Sequence, residues 1–364
     1  MTNPRKVLLV AGTRPNFMKL AGIHHRLVAD DRFEVAICHT GQHFDANMSE
    51  VFWESLDLPK PDFFLNVRAT GVAATIGATA TKVGELLLST PVDDVVVFGD
   101  VSGTAGAALA AAHSPARLVH VEAGLRSFDR AMPEELNRIT VDHLSDLLFV
   151  SEPSGMENLA REGIALGHCH LVGNLMIECL IRTRAKWQTL KLDIPEEFSV
   201  CTFHRPENVD DDAQLTLLVD RVAGLAEFSA LAWPLHPRTR NRLQAAGLLQ
   251  RVRDMAHVTL LEPQGYFEFL SMVNASKMVL TDSGGIQEET SYLGKPCVTI
   301  RKNTERPVTL TAGTNMLLSL AAEDFDSQVV QHYKNVNCRA QQPIPFWDDQ
   351  TSSRIADVMA GVRA

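Results

Sequence analysis

The run Thr281-Asp282-Ser283-Gly284-Gly285-Ile286-Gln287-Glu288-Glu289 has the chemistry of an anion site. It follows the apolar pair Val279-Leu280 and leads into a helix-compatible segment. The first N–H groups of a helix lack internal partners, and its dipole favours negative charge there. Gly284 and Gly285 allow close backbone approach, and Ser283 adds a hydroxyl donor. Such a turn suits the diphosphate of a nucleotide, with Glu289 placed to read its sugar. An ordinary strand–turn–helix with a tight Gly-Gly bend fits the same letters, because short glycine motifs are not specific.

Charged residues recur at similar breaks. Gly12-Thr13-Arg14-Pro15-Asn16-Phe17-Met18-Lys19 follows an apolar run and opens a helical pattern, so Arg14 and Lys19 stand where cations can meet a phosphate. Asp100 lies just past the apolar run Asp94–Phe98, a placement that suits catalysis and helix capping equally. Glu122, Glu134 and Glu135 crowd one stretch with Arg126 and Arg138. Neighbouring carboxylates repel, and some should titrate high, which suits proton transfer. Glu134 and Glu135 also follow Pro133 in a first helical turn, where the dipole alone favours acids. His204, in His204-Arg205-Pro206-Glu207-Asn208, is a candidate acid, base or phosphate donor. A structural role also fits it, and fits His236 better. Arg301, Lys302, Glu305 and Arg306 read either as a solvated mixed-charge loop or as charge gathered near the Gly-Gly turn.

These residues need elements to position them. Apolar runs at Lys6–Ala11, Glu34–His39, Phe63–Val67, Asp94–Phe98, Leu118–Val121, Leu147–Val150 and Leu171–Val172 alternate with helical patterns. The helical patterns are Asn16–Ala29, Asn47–Leu56, Ala73–Leu88 and the Ala-rich Ala105–Ala112, and Glu122 opens a loop to Pro133. A helix over Leu175–Lys191 leads to a second series: Ser199–Thr202, Ala230–Pro234, Val258–Leu261, Met278–Thr281 and Cys297–Ile300. The alternation predicts two Rossmann-like α/β units, each a doubly wound parallel sheet, over 1–174 and 175–351. They would face a cleft, with a last helix, 352–364, crossing back to the first. The polar motifs then fall at the carboxyl ends of strands, where such sheets bind ligands.

Composition narrows the class. A chain of 364 residues with 45% hydrophobic and 21% charged residues reads as a two-domain globular protein. The net charge of −10 disfavours a nucleic-acid surface. No stretch reaches membrane-spanning length, and the first apolar run is too short for a secretory signal. The six cysteines form no CxxC pair, which fits reduced thiols in a cytoplasmic protein better than disulfides or zinc. H-E-x-x-H, Walker A, G-x-S-x-G and G-x-G-x-x-G patterns are all lacking, so peptidase, kinase, esterase and dehydrogenase readings have no support.

Taken in order, the motifs resemble those of the non-hydrolysing UDP-N-acetylglucosamine 2-epimerases. They are Gly12-Thr13-Arg14-Pro15, Thr40-Gly41-Gln42-His43, Gly99-Asp100, His120 to Arg126, Pro133-Glu134-Glu135-x-Asn137-Arg138, His204 to Asn208, Asp282 to Glu289, Gly294-Lys295-Pro296 and Thr304-Glu305-Arg306-Pro307. The resemblance implies the fold of B-type glycosyltransferases, a nucleotide in the interdomain cleft, a homodimer and a cofactor-free inversion at C2 of the sugar. UDP would leave to give a 2-acetamidoglucal and re-add, interconverting UDP-GlcNAc and UDP-ManNAc for surface polysaccharide synthesis. It implies that Arg14, Lys19, Gln264, Phe269, Ser283, Gly284, Gly285, Glu289 and Arg306 hold UDP. Asp100, Glu122, Glu134 and His204 would form the reactive set, and Gln42, His43 and Arg205 match part of an effector site seen in some members.

Departures bear on substrate. Val101 stands where the family commonly has Thr, Val308 where it has Glu, and Gly22 where Pro is common. Gly41 to Ser49 also resembles relatives acting on UDP-2,3-diacetamido-2,3-dideoxy-glucuronate. That substrate is one alternative. A glycosyltransferase of the same fold is another, disfavoured by the carboxylate-rich 122–135 stretch. A catalytically inactive nucleotide-sugar sensor is a third.

Overall fold

The protein was analysed as a computed structural model, which describes residues 3–41, 52–190, 194, 197–337 and 343–361. The chain separates into two compact units, Met1–Arg182 with Pro345–Ala364, and Thr183–Ile344. Each is built on one parallel sheet, as are the domains of the GT-B type of fold.

In the first unit the strands are β1 (Arg5–Ala11), β2 (Phe33–His39), β3 (Phe63–Phe64), β4 (Asp94–Phe98), β5 (Arg117–Ala123), β6 (Leu147–Val150) and β7 (Cys169–Leu171). Their order is β3-β2-β1-β4-β5-β6-β7. Val7–Ala11 of β1 and every residue of β4 are buried, Leu8 and Leu9 at 1% and 0% exposure, so helices must cover both faces. The chain order reverses between β1 and β4, and loops diverging there open a crevice at the strand ends. The Ala-rich helix Ser102–Ala112 packs closely on Val72–Ser89. A Cβ at Gly106 would strike Ile76 O, so only glycine fits that approach.

In the second unit the strands are β8 (Ser199–Thr202), β9 (Leu231–Pro234), β10 (Val258–Leu261), β11 (Val279–Thr281), β12 (Cys297–Thr299) and β13 (Asn315–Leu317). Their order is β10-β9-β8-β11-β12-β13, with the reversal between β8 and β11. Cys201, Trp233, Leu280 and Val298 anchor its main apolar cluster.

Several boundaries differ from the sequence reading. The expected strand Phe63–Val67 pairs only at Phe63-Phe64, because Asn66 turns the chain with a φ of 48°. The expected helix Leu175–Lys191 breaks into Leu175–Arg182 and Arg184–Trp187. The first piece buries Cys179 and Leu180 in one unit and the second buries Trp187 in the other, so no continuous helix serves both. The helix Pro153–Arg161 and β13 were not anticipated. Of the expected helix Asn47–Leu56, residues 47–51 lie outside the described residues.

The helix Thr351–Met359 lies in the first unit beside Arg14–Val28. Buried Glu178 accepts from the Ser352 amide at 2.7 Å and its hydroxyl at 2.5 Å. Burial raises the Glu178 pKa, against these bonds and Arg182. Among the described residues no helix is long and apolar enough to cross a membrane, and the described cysteines are buried and outside any disulfide.

Candidate functional site

In the first unit the candidates gather at the ends of β1, β4 and β5. Thr13 leads into the helix Arg14–Val28, where Pro15 suits the first turn. Arg14 stays exposed, its guanidinium 5.9 Å from the Phe52 ring centre. Lys19, one turn further, is 7% exposed and forms an ion pair with Glu122. It passes close over Gly99, where a Cβ would lie 3.3 Å from its Nζ. Gly99 has a φ of 62°, which turns the chain sharply into Asp100.

Glu122 does not open a loop, as the sequence suggested, but sits on a bulge within β5. The register against β6 runs Val121 to Phe149 and then Ala123 to Val150, leaving Glu122 as the extra residue. Its φ is 71°, a left-handed conformation costing a non-glycine residue roughly 1–3 kcal/mol. A bulge of this kind re-aims a side chain. Here it takes Glu122 to Lys19 and to a small cavity that Phe149, Ser151 and Asn174 also line.

Asp100 pairs with Arg138, and Asn137 donates to its carbonyl at 2.7 Å. Both partners come from the helix Pro133–Leu144. Of the carboxylates expected to repel one another, Glu122 meets Lys19 and Glu135 lies 3.2 Å from Arg138. Glu134 is exposed on the first turn of that helix. Glu135 is buried and serves structure: it accepts from the Ser127 amide and hydroxyl and the Phe128 amide at 2.8–2.9 Å.

In the second unit β8 and β11 end side by side. Asp282, fully buried, accepts from the amides of His204 and Arg205 at 2.9–3.1 Å and from Asn208 Nδ2 at 3.1 Å. His204 Nδ1 lies 3.3 Å from Asp282 Oδ1, and its ring is 5.2 Å from that of His236. Burial holds the His204 imidazole below its ordinary pKa, with Arg205 and Arg238 adding to the effect, against Asp282 and Glu207. His236 caps a helix by accepting from the Arg238 amide at 3.2 Å.

Ser283 precedes the helix Gly284–Leu293 and makes no side-chain cap, so its hydroxyl is not engaged with the helix start. A Cβ at Gly284 would lie 3.0 Å from Arg306 Nη1, which places that guanidinium over the helix N-terminus. Arg306 is 2.9 Å from Glu288. Arg301 and Glu305 form a buried pair at 2.9–3.0 Å, so this segment is not the solvated loop considered from sequence. Burial raises the Glu289 carboxyl to about 8, the Glu288 charge adding to it and a bond with Tyr266 opposing it. Gln264 donates to Glu262 O at 2.7 Å, and Phe269 packs at the edge of an apolar cluster.

Arg205 is half-buried beside His204, while Gln42 and His43 lie outside the described residues. Sequence reasoning gave no role to Arg138, Asp282 or Tyr266. Arg138 and Asp282 lay within quoted motifs, whereas Tyr266 stands far from Glu289 in the chain and carried no local signal. Among the described residues no group of three or more His, Cys, Asp or Glu could hold a metal ion.

Comparison with known proteins adds the context. A family model described as UDP-N-acetylglucosamine 2-epimerase matches residues 25–360. The chain is 34% identical over 366 residues to a UDP-N-acetylglucosamine 2-epimerase of Methanococcus maripaludis, covering 98% of each. It is 35% identical over 360 residues to a UDP-2,3-diacetamido-2,3-dideoxy-D-glucuronate 2-epimerase of Pseudomonas aeruginosa, covering 98% of this chain and 99% of that one. Its fold is similar to the crystal structure of Methanocaldococcus jannaschii UDP-GlcNAc 2-epimerase in complex with UDP-GlcNAc and UDP, with a TM-score of 0.87 at 33% identity. That match covers 98% of this chain and 99% of the other.

Proposed function

The chain belongs to the UDP-N-acetylglucosamine 2-epimerase family, and on that premise we propose that it interconverts UDP-GlcNAc and UDP-ManNAc by eliminating and re-adding UDP. The observation that carries this reading is the pair Glu122 and Asp100, two carboxylates at the ends of neighbouring strands, each held by a cation. Inversion at C2 needs proton transfer on both faces of one carbon, and one acid cannot reach both.

In the first half-reaction a carboxylate takes the C2 proton, the C1–O bond breaks, and UDP leaves as an anion with the 2-acetamidoglucal beside it. In the second, UDP oxygen re-forms the bond to C1 and a proton reaches C2 from the opposite face. Asp100, Glu122 and Glu134 are the candidates for the two faces. Exclusion of water raises the basicity of the carboxylate and preserves the glucal. Ser283, Gly284, Gly285 and Arg306 would hold the diphosphate at the helix N-terminus, with Arg14, Lys19, Gln264 and Phe269 completing the UDP site. A diphosphate arriving beside His204 would favour its protonated form and stabilise the charge that develops on departure. Glu289 would bind sugar hydroxyls of the nucleotide. A homodimer and a site for a second UDP-sugar are part of the same proposal.

Incubation with UDP-GlcNAc in deuterium oxide tests it. Deuterium should enter at C2 and the manno epimer should accumulate. Absence of C2 exchange with any UDP-2-acetamido sugar would refute the reading, and turnover confined to the diacetamido-uronate nucleotide would move the substrate to that sugar.

A further inference from the structure

The geometry points to Asp142 as a positioning residue that sets the two carboxylate-bearing turns of the first unit through a single buried side chain. This inference rests on the proton-transfer roles proposed for Asp100 and Glu122.

Asp142 is 1% exposed and belongs to the helix Pro133–Leu144. Its Oδ1 lies 2.7 Å from His120 Nδ1, and His120 Nε2 lies 2.9 Å from the carbonyl oxygen of Gly99. Gly99 immediately precedes Asp100. The other Asp142 oxygen, Oδ2, accepts from the Gly124 amide at 3.1 Å and meets Arg126 Nη1 at 2.7 Å. Gly124 closes the bulge that carries Glu122, and its carbonyl is held in turn by Asn158 Nδ2 at 2.9 Å. One carboxylate thus reaches both turns, one through an imidazole and the other through an amide.

A carbonyl oxygen only accepts, so His120 Nε2 donates to Gly99 while Nδ1 faces the Asp142 carboxyl. Arg126 is shared between Asp142 and Glu162, the latter at 2.6–2.7 Å through two nitrogens. Burial pushes the Asp142 carboxyl up, but His120 and Arg126 together hold it below its ordinary value. A buried carboxylate costs several kcal/mol unless it is fully partnered. Each partner here is bound to one of the two turns, or to the loop that follows them. The left-handed conformation of Glu122 persists only where its surroundings over-determine it, and the Asp142–Gly124 bond holds the Ala123–Gly124 peptide one residue further on.

Asp142→Asn and His120→Gln test the assignment. The first keeps the side-chain size and removes the charge. The second keeps a donor to Gly99 and leaves Asp142 with Arg126 and Gly124. Asp142→Asn should lower kcat for epimerisation about 100-fold, as expected for displacement of a reacting group by about 1 Å, with KM changed by less than about twofold. The limb of the pH–kcat profile that reports the base should shift. His120→Gln should lower kcat about tenfold, with the same limb shifted. A crystal structure of Asp142→Asn, which needs no turnover, should show Glu122 leaving its left-handed φ or the Gly99 turn displaced. Wild-type kcat and pH profile in a folded Asp142→Asn, or a kcat that falls only with the folded fraction, would overturn the inference, as would unchanged Glu122 and Gly99 in the crystal. If Asp142→Asn does not fold, a wild-type kcat and profile for His120→Gln would overturn it. Missing C2 exchange in the wild type refutes the reaction instead, and the crystallographic comparison still judges Asp142.

Discussion

The Glu122–Lys19 pair is the most demanding local feature of the chain. A nearly buried ammonium and carboxylate meet on a strand bulge whose backbone is left-handed. Positional precision is what such strain provides, since a relaxed strand would point the residue to one sheet face or the other. Glu122→Gln retains the shape and loses the base. It should reduce C2 exchange by about 10²- to 10⁴-fold, while UDP affinity measured by calorimetry stays within about twofold. Lys19 would then lie beside a neutral amide, so some stability is lost, and activity is to be normalised to the folded fraction. Retention of exchange in the folded variant would remove Glu122 from the chemistry.

At the scale of elements, both sheets place their polar residues where the chain order reverses. In the first it is the β1 and β4 ends, and in the second the β8 and β11 ends. The helix Gly284–Leu293 depends on glycine at its start for a reason its own backbone does not supply, since the crowding at Gly284 comes from Arg306. Gly284→Ala makes that guanidinium give way by a few tenths of an ångström at the helix N-terminus. UDP should bind about tenfold more weakly, equivalent to about 1.4 kcal/mol, with kcat at saturating substrate little changed. Unaltered UDP affinity would show that Arg306 does not hold the diphosphate. Gly99→Ala at the other switch point should instead lower kcat, because it strains the turn before Asp100 and crowds Lys19.

Across the whole molecule, stability carries a signature of the buried Glu289. Its ordinary carboxyl pKa of 4.5 rises to about 8 in the folded chain. Below the lower value the group is protonated whether the chain is folded or not. Between the two values the unfolded chain releases a proton that the folded chain keeps, so stability falls as pH rises, and the loss levels off above the higher value. Glu289→Gln lacks this dependence. Its melting temperature should gain on the wild type between pH 5 and pH 8, by roughly 2–4 °C per kcal/mol for a domain of this size. A constant difference across that range would mean that Glu289 titrates normally.

The order of apolar runs and glycine breaks was enough to determine two parallel α/β sheets, because strand periodicity and turn chemistry are local. Runs such as Asp94–Phe98, Leu147–Val150 and Val258–Leu261 carry their own boundaries. The motifs likewise marked which loops hold the chemistry. Only the tertiary structure decided what each charged residue does there. It assigned Glu135 to the Ser127 loop and left Glu134 exposed. It moved Glu122 from a loop onto a bulge, and it buried Arg301 with Glu305. Asp142 offered no signal in the chain, since its partners His120 and Gly124 are reached only when the helix Pro133–Leu144 docks against β5. The physical reason is that the energy of a charge depends on its burial and on partners distant in sequence, neither of which residue type or spacing encodes.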